Sequence, residues 1–192
     1  FPYMCIRAFQ FVATRMARHP VYPQVLREGR TGNTILLDIG CMMGTDARKA
    51  VYDGYPAEKV LACDLRLDFI EIGYGLFEDK DKCRIHFFQS DVFEIPLDVS
   101  SHDAPVPLKE VSRLEHLQGR VDHIYTGAVF HLFDESTQVA MALRLATLVP
   151  KDRPAIIFGR HRGQFTAGLT PGMSRSGPRY IHSPESWKAL WE

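Results

Sequence analysis

One rhythm constrains this chain more than any other feature. Short apolar runs end at or beside an acidic residue, and each is followed by a turn and, in most cases, a stretch of helical periodicity. Thr34 to Ile39, Lys59 to Asp64 ("KVLACD") and Ile85 to Gln89 ("IHFFQ") read as strands, with helices over Thr45 to Tyr52 and Leu67 to Phe77 between them. Val121 to Thr126 ("VDHIYT") and Ala155 to Gly159 ("AIIFG") supply a fourth and a fifth strand. Between these two lies a helix over Glu135 to Leu148, whose Val139, Leu143 and Ala146 share one face. Runs this apolar suit strands covered on both sides. Strand, helix, strand at this spacing means parallel strands joined by right-handed crossovers. The expected fold is α/β: an open, doubly wound, mostly parallel sheet with helices on both faces.

The flanks are less regular. Met4, Ala8, Phe11, Val12 and Met16 recur at helical spacing behind Pro2, which predicts a helix from Met4 to about Ala17. His19 to Gly32 holds Pro20, Pro23, Gly29 and Gly32 and reads as a connection with one short helical turn at most. Leu97 to Arg120, richer in Pro, Ser and charge, reads as an insertion with a helix from Lys109 to Leu117. We therefore expect one domain: a helical cap segment over residues 1–33 and a cofactor-binding α/β unit over 34–192.

Bulk chemistry removes several functions. Hydrophobic residues at 45% and charged residues at 24% leave enough apolar surface for a core, so disorder is not expected. No apolar run approaches the ~20 residues that cross a bilayer, so no membrane role is expected. Lys and Arg number 23 against 23 Asp and Glu, which lacks the excess of cations that binds phosphate backbones; no nucleic-acid partner is expected. Cys5, Cys41, Cys63 and Cys83 show no metal-ligand spacing and read as small buried hydrophobes of a reducing compartment. No metal is expected. The chain starts at Phe1 rather than Met, suggesting a trimmed or partial sequence, and shows no basic-then-apolar leader, so a cytoplasmic address is expected.

In doubly wound sheets ligands bind beyond the carboxyl ends of the strands. Those ends carry Asp38-Ile39-Gly40, Asp64-Leu65, Ser90-Asp91-Val92, Thr126-Gly127 and Gly159-Arg160-His161. A dinucleotide loop would read GxGxxG, but from Gly40 the third and sixth positions are Met42 and Thr45. An adenosyl group without phosphates asks for less: a tight turn at Gly40, close backbone approach near Gly44, and an acid such as Asp38 for a cationic amino group. Asp64 can accept two ribose hydroxyls, and Asp91 can accept from an exocyclic amine while Val92 covers the ring. Each acid alone could be a helix cap or turn former. Three acids at three successive strand ends are harder to explain so.

These stretches resemble a class I S-adenosylmethionine-dependent methyltransferase. "LLDIGCMMG" is similar to the first motif of that family, "LACDL" to its ribose-binding strand, "QSDVF" to its adenine-binding motif and "VDHIYTGAVFHLF" to its fourth strand and loop. "DIGCMMGTDARKAVYDG", "GRHRG" and "HSPESWKALW" are similar to small-molecule methyltransferases of fungal meroterpenoid clusters, some of which esterify a carboxylic acid. The resemblance implies S-adenosyl-L-methionine as cofactor, held by Asp38, Gly40, Cys41, Met42, Gly44, Asp64, Leu65, Asp91, Val92, Thr126 and Gly127. It differs in two places: Met42 replaces the middle glycine of the family's GxGxG, and the chain ends at Glu192 before the last two strands of that fold.

The resemblance also implies a small-molecule methyl acceptor. A carboxylate acceptor needs no base, whereas for a hydroxyl the loop after the fourth strand offers His131 as general base. Phe130, Arg160 and His161 are the expected acceptor contacts, with Arg162, Phe133, Phe9 and Phe11 nearby in the same reading. Two alternatives stand beside it: a methyltransferase-like module without catalysis, and a nicotinamide-dependent oxidoreductase, which the failed glycine pattern disfavours.

Overall fold

The computed structural model describes residues 4–98, 104–170 and 179–192. Five strands, β1 (Leu36–Ile39), β2 (Val60–Asp64), β3 (His86–Gln89), β4 (His123–Gly127) and β5 (Ile156–Arg160), form one sheet in the order β3-β2-β1-β4-β5. Every pairing is parallel. The chain reverses its direction of travel across the sheet between β1 and β4, and a sheet of this kind has its ligand crevice at the carboxyl ends of the strands at that point.

Alternation along each strand divides the core. Leu37, Ile39, Leu61, Cys63 and Ile124 point to one face, where α5 (Glu135–Leu148) and the segment after β3 cover them. Leu36, Val60, Ala62, Tyr125 and Phe158 point to the other. There α2 (Tyr22–Gly29), α3 (Thr45–Tyr52) and α4 (Leu67–Phe77) contribute Tyr22, Val25, Ala47, Ala50 and Ile70. Helices thus lie on both faces, as expected. β6 (Gly168–Thr170) and β7 (Arg179–Ile181) pair antiparallel as a separate ribbon, followed by α6 (Pro184–Leu190).

Several local expectations need correction. The N-terminal helix shrinks to α1 (Met4–Arg7) and two 3-10 turns, Gln10–Val12 and Met16–Arg18. Phe9 turns left-handed at φ 50°, and Phe9 and Val12 find no surface to bury against, so the periodic pattern has nothing to propagate it. The connection before β1 instead holds the eight-residue α2, because Pro23 falls in its first turn, where the ring is tolerated. In the insertion, Val111, Leu114 and Leu117 are buried at a spacing of three, which 3-10 geometry serves; the turns are Leu108–Glu110 and Leu114–Leu117. The stripe Val139, Leu143 and Ala146 faces outward, and Met141, Ala142, Leu145 and Leu148 carry α5 onto the sheet.

Candidate functional site

The loop from Gly40 to Gly44 leaves β1 into the crevice. The Gly40 and Cys41 N–H groups both donate to the Cys63 carbonyl, at 2.9 and 3.0 Å, and the Gly44 N–H donates to the Cys41 carbonyl at 2.8 Å. Gly40 adopts φ +75°, and a Cβ there would stand 2.5 Å from Val129 Cγ2, so only glycine fits. Gly44, at φ +71°, opens α3. Cys41 is buried in the core beneath the loop.

Met42 occupies the same left-handed region at φ 51°, as does Ala128 at φ 66° after β4. Strained residues on both sides of one crevice are typical of ligand sites. The left-handed region costs a non-glycine residue about 1–2 kcal/mol, against about 0.5–1 kcal/mol of extra chain entropy for glycine. Met42→Gly is accordingly expected to raise the melting temperature by about 2–4 °C. A fall in a thermal scan would mean that the methionine side chain contributes more than its backbone costs.

Three carboxylates surround this loop. Asp64 accepts from the Met42 N–H at 2.9 Å through Oδ2 and from the Arg66 N–H at 3.0 Å through Oδ1, leaving one lone-pair site on each oxygen. Asp46, in the first turn of α3, accepts from the Met16 N–H at 2.9 Å, and the Tyr125 hydroxyl lies beside it outside hydrogen-bonding geometry. Asp38, only 2% exposed, has no hydrogen-bond donor among the described residues. Burial pushes all three above the usual carboxylate range, and Asp46 and Asp64 push Asp38 further. The hydroxyls of Thr45 and Thr126 are buried nearby without a partner. The arrangement is a carboxylate-rich cradle in which Arg15 acts on Asp46 and Arg66 on Asp64, while the charges acting on Asp38 are those of other acids, and an ammonium or sulfonium group would supply counter-charge there.

A sign follows for pH. A cation binds the ionised carboxylates, so protons compete with it wherever the free protein's pKa values are raised. Affinity for a cationic adenosyl ligand is expected to fall as pH drops from 8 toward 5, measured by calorimetry. A flat profile would contradict the proton competition.

Around the crevice the other expected residues divide. Leu65 stands 61% exposed at the end of β2, free to cover a flat ring. Asp91 caps the turn Val92–Glu94 by accepting from the Phe93 N–H at 2.9 Å, and it borders a cavity of about 230 Å³ with Ser90, Glu94 and Arg113. Val92 packs into the core among Phe88 and Ile95. Gly127 pairs with Arg160 in the β4–β5 ladder.

A second cavity, about 540 Å³, opens beyond β4 and β5 between His19, Thr126, Phe130, Arg160, His161 and Trp187. Phe130 lies edge-on to Trp187 at 5.0 Å, and the His161 ring sits 4.0 Å from the same indole. Burial, with Arg179, Arg160 and Arg162 adding to it, depresses His131 to about 4; burial and its neighbours His131 and His182 bring His161 to about 4. Both imidazoles are neutral at pH 7. Phe9 and Val12 lie exposed, and Phe9 and Phe11 are not among the residues lining this cavity. Sequence reasoning missed Asp46 beside the loop and Trp187 and Trp191 in the second cavity. Asp46 carried a signal, an acid in the first turn after a glycine loop, whereas the tryptophans depend on how the last helix folds back.

No protein-family model matches the chain. Over all 192 residues it is 33% identical to O-methyltransferase phiE of a fungal species and 31% identical to methyltransferase adrK of Penicillium roqueforti. By sequence the chain is similar to these fungal methyltransferases. It spans 59% of the first and 64% of the second, about three-fifths of the length of each. Among solved structures it resembles the Burkholderia thailandensis 1,6-didemethyltoxoflavin-N1-methyltransferase, which holds S-adenosylhomocysteine. The TM-score is 0.57 and the identity 14%, over 96% of this chain and 73% of that one. A phosphoethanolamine N-methyltransferase of Haemonchus contortus gives 0.61 and 13%, over 98% and 41%. These likenesses establish the Rossmann-like methyltransferase fold, here with five strands in the sheet.

Proposed function

We propose that this chain binds S-adenosyl-L-methionine in the crevice between β1 and β4 and serves methyl transfer to a carboxylate of a small, largely apolar acceptor. The relatives' names support the reaction, and the cradle of Asp38, Asp46 and Asp64 supports the cofactor. In this reading Asp64 offers its two free lone-pair sites to ribose hydroxyls, Asp38 faces the amino acid end, and Leu65 covers the base beside Asp91. When bound, the cofactor supplies a methyl group on a sulfonium, open to in-line attack. The chain's own contribution is alignment and exclusion of water.

The observation that carries the acceptor class is the aromatic cavity that places Arg160 beside the neutral His161 imidazole. Arg160 can hold one carboxylate oxygen while Phe130 and Trp187 wall the apolar remainder. A carboxylate attacks without losing a proton. His131, held at about 4, is a poor base for a hydroxyl acceptor. The test is a screen of apolar carboxylic acids against the matching alcohols with methyl esters detected by mass, followed by His131→Gln. Esterification is expected to survive the substitution within about threefold, while loss of about 100-fold or more would restore His131 as the base of a hydroxyl-directed enzyme.

A further inference from the structure

Arg48 lies on α3, outside the cofactor crevice, and its side chain is 11% exposed. Its guanidinium spends its donors on two different elements. Nε and Nη2 donate to Asp79 Oδ2 and Oδ1 at 2.7 and 2.9 Å, beyond the end of α4. Nη1 donates to the Met43 carbonyl at 2.8 Å and reaches the Gly44 carbonyl at 3.4 Å. Phe77, Phe87 and Tyr74 wall the group at 4.5, 4.8 and 5.6 Å. The Met43 carbonyl also packs closely on Gly73 of α4, where a Cβ would come within 2.4 Å of the oxygen. Gly44 packs equally closely, since a Cβ there would meet Phe87 at 2.4 Å and Arg48 Nη1 at 2.6 Å.

The carbonyls that Arg48 grips follow directly on Met42, whose left-handed backbone an unrestrained methionine resists. A residue held in that region persists where its surroundings over-determine it. On one side Asp64 fixes the Met42 N–H. The second restraint comes from Arg48, pinned bidentately and therefore unable to swing. We infer that Arg48, fixed by Asp79, is a positioning residue that braces the Met42-Met43-Gly44 segment in the conformation that binds the adenosyl cofactor. The bracing of the loop stands on geometry alone, and its effect on binding rests on the cofactor reading above.

The test compares the wild-type chain with Arg48→Gln and, as a milder variant, Asp79→Asn. Hydrogen exchange of the amides of residues 42–44 reads the brace itself, with the α5 amides as a measure of intact fold. Exchange in the loop is expected to rise about tenfold in Arg48→Gln and less in Asp79→Asn, with α5 unchanged. Calorimetry with S-adenosylhomocysteine reads the consequence: affinity about tenfold weaker in Arg48→Gln, recovered in part when Met42→Gly is added, because glycine adopts the loop conformation unaided. A rescue of this kind does not follow from general loss of stability. Unchanged loop exchange in both variants overturns the brace. Faster exchange with unaltered affinity, or a Met42→Gly effect equal in both backgrounds, overturns the positioning role. Failure of the wild-type chain to bind the ligand refutes the cofactor reading and leaves the exchange comparison to decide the brace.

Discussion

Asp64→Ala is expected to weaken binding of S-adenosylhomocysteine about 100-fold, equivalent to about 2.7 kcal/mol. The carboxylate does two things at once. In the proposed reading it takes the ribose hydroxyls, and its two oxygens already hold the Met42 and Arg66 N–H groups that shape the loop ends of β1 and β2. Alanine removes the ligand contacts and also leaves two backbone donors to find water, each hydrogen bond to a charged group contributing about 1.5–3 kcal/mol. Stability of the free chain should fall by less than binding does, because alanine also relieves the cost of keeping a carboxylate buried, the cause that dominates its raised pKa. Calorimetry and a thermal scan on the same variant separate the two effects. Binding within threefold of wild type would mean that the ribose lies elsewhere.

The largest effect on stability is expected at Gly159, which faces Thr126 across the β4–β5 pairing. A Cβ at Gly159 would lie 2.1 Å from the Thr126 carbonyl oxygen and 2.9 Å from its carbon, and neither backbone atom can yield without breaking the ladder. Gly159→Val should cost about 3 kcal/mol, the upper end for overpacking a tight site. For a chain of this size that lowers the melting temperature by roughly 6–12 °C. The same shift would displace Arg160 and His161 from the cavity they line, so an effect on acceptor use is expected wherever the variant still folds. A melting temperature within 2 °C of wild type would show that the two strands can separate here at little cost.

The parallel sheet was legible because its strands are short and largely apolar, with β1, β2 and β4 buried on both faces, so each run declares itself locally. Their limits differ from the expected ones by one or two residues. The N-terminal helix was not legible in the same way, since its apolar spacing promised a surface to pack on and Phe9 and Val12 meet solvent. On α5 the spacing marked a face, and the outer one, because Val139 and Leu143 match the period as well as Met141 and Leu145 do. At the crevice Asp38 and Asp64 could be located from the order of the strands alone, since a strand end is a position in sequence, whereas Asp46 lies in the first turn of α3. Arg48 could not, because Asp79 stands 31 residues away and only the packing of α3 beside α4 brings them together. The aromatic wall of the second cavity required Trp187 to return to Phe130 from the last helix, a contact with no local signature.

The most direct measurement is a calorimetric titration of the folded chain with S-adenosylmethionine and S-adenosylhomocysteine, with NAD as control. One site with micromolar-range affinity for both adenosyl compounds and no response to NAD is the result expected of the cradle formed by Asp38, Asp46, Asp64 and the Gly40–Gly44 loop. Absence of adenosyl binding by a chain that shows a cooperative melting transition would contradict it.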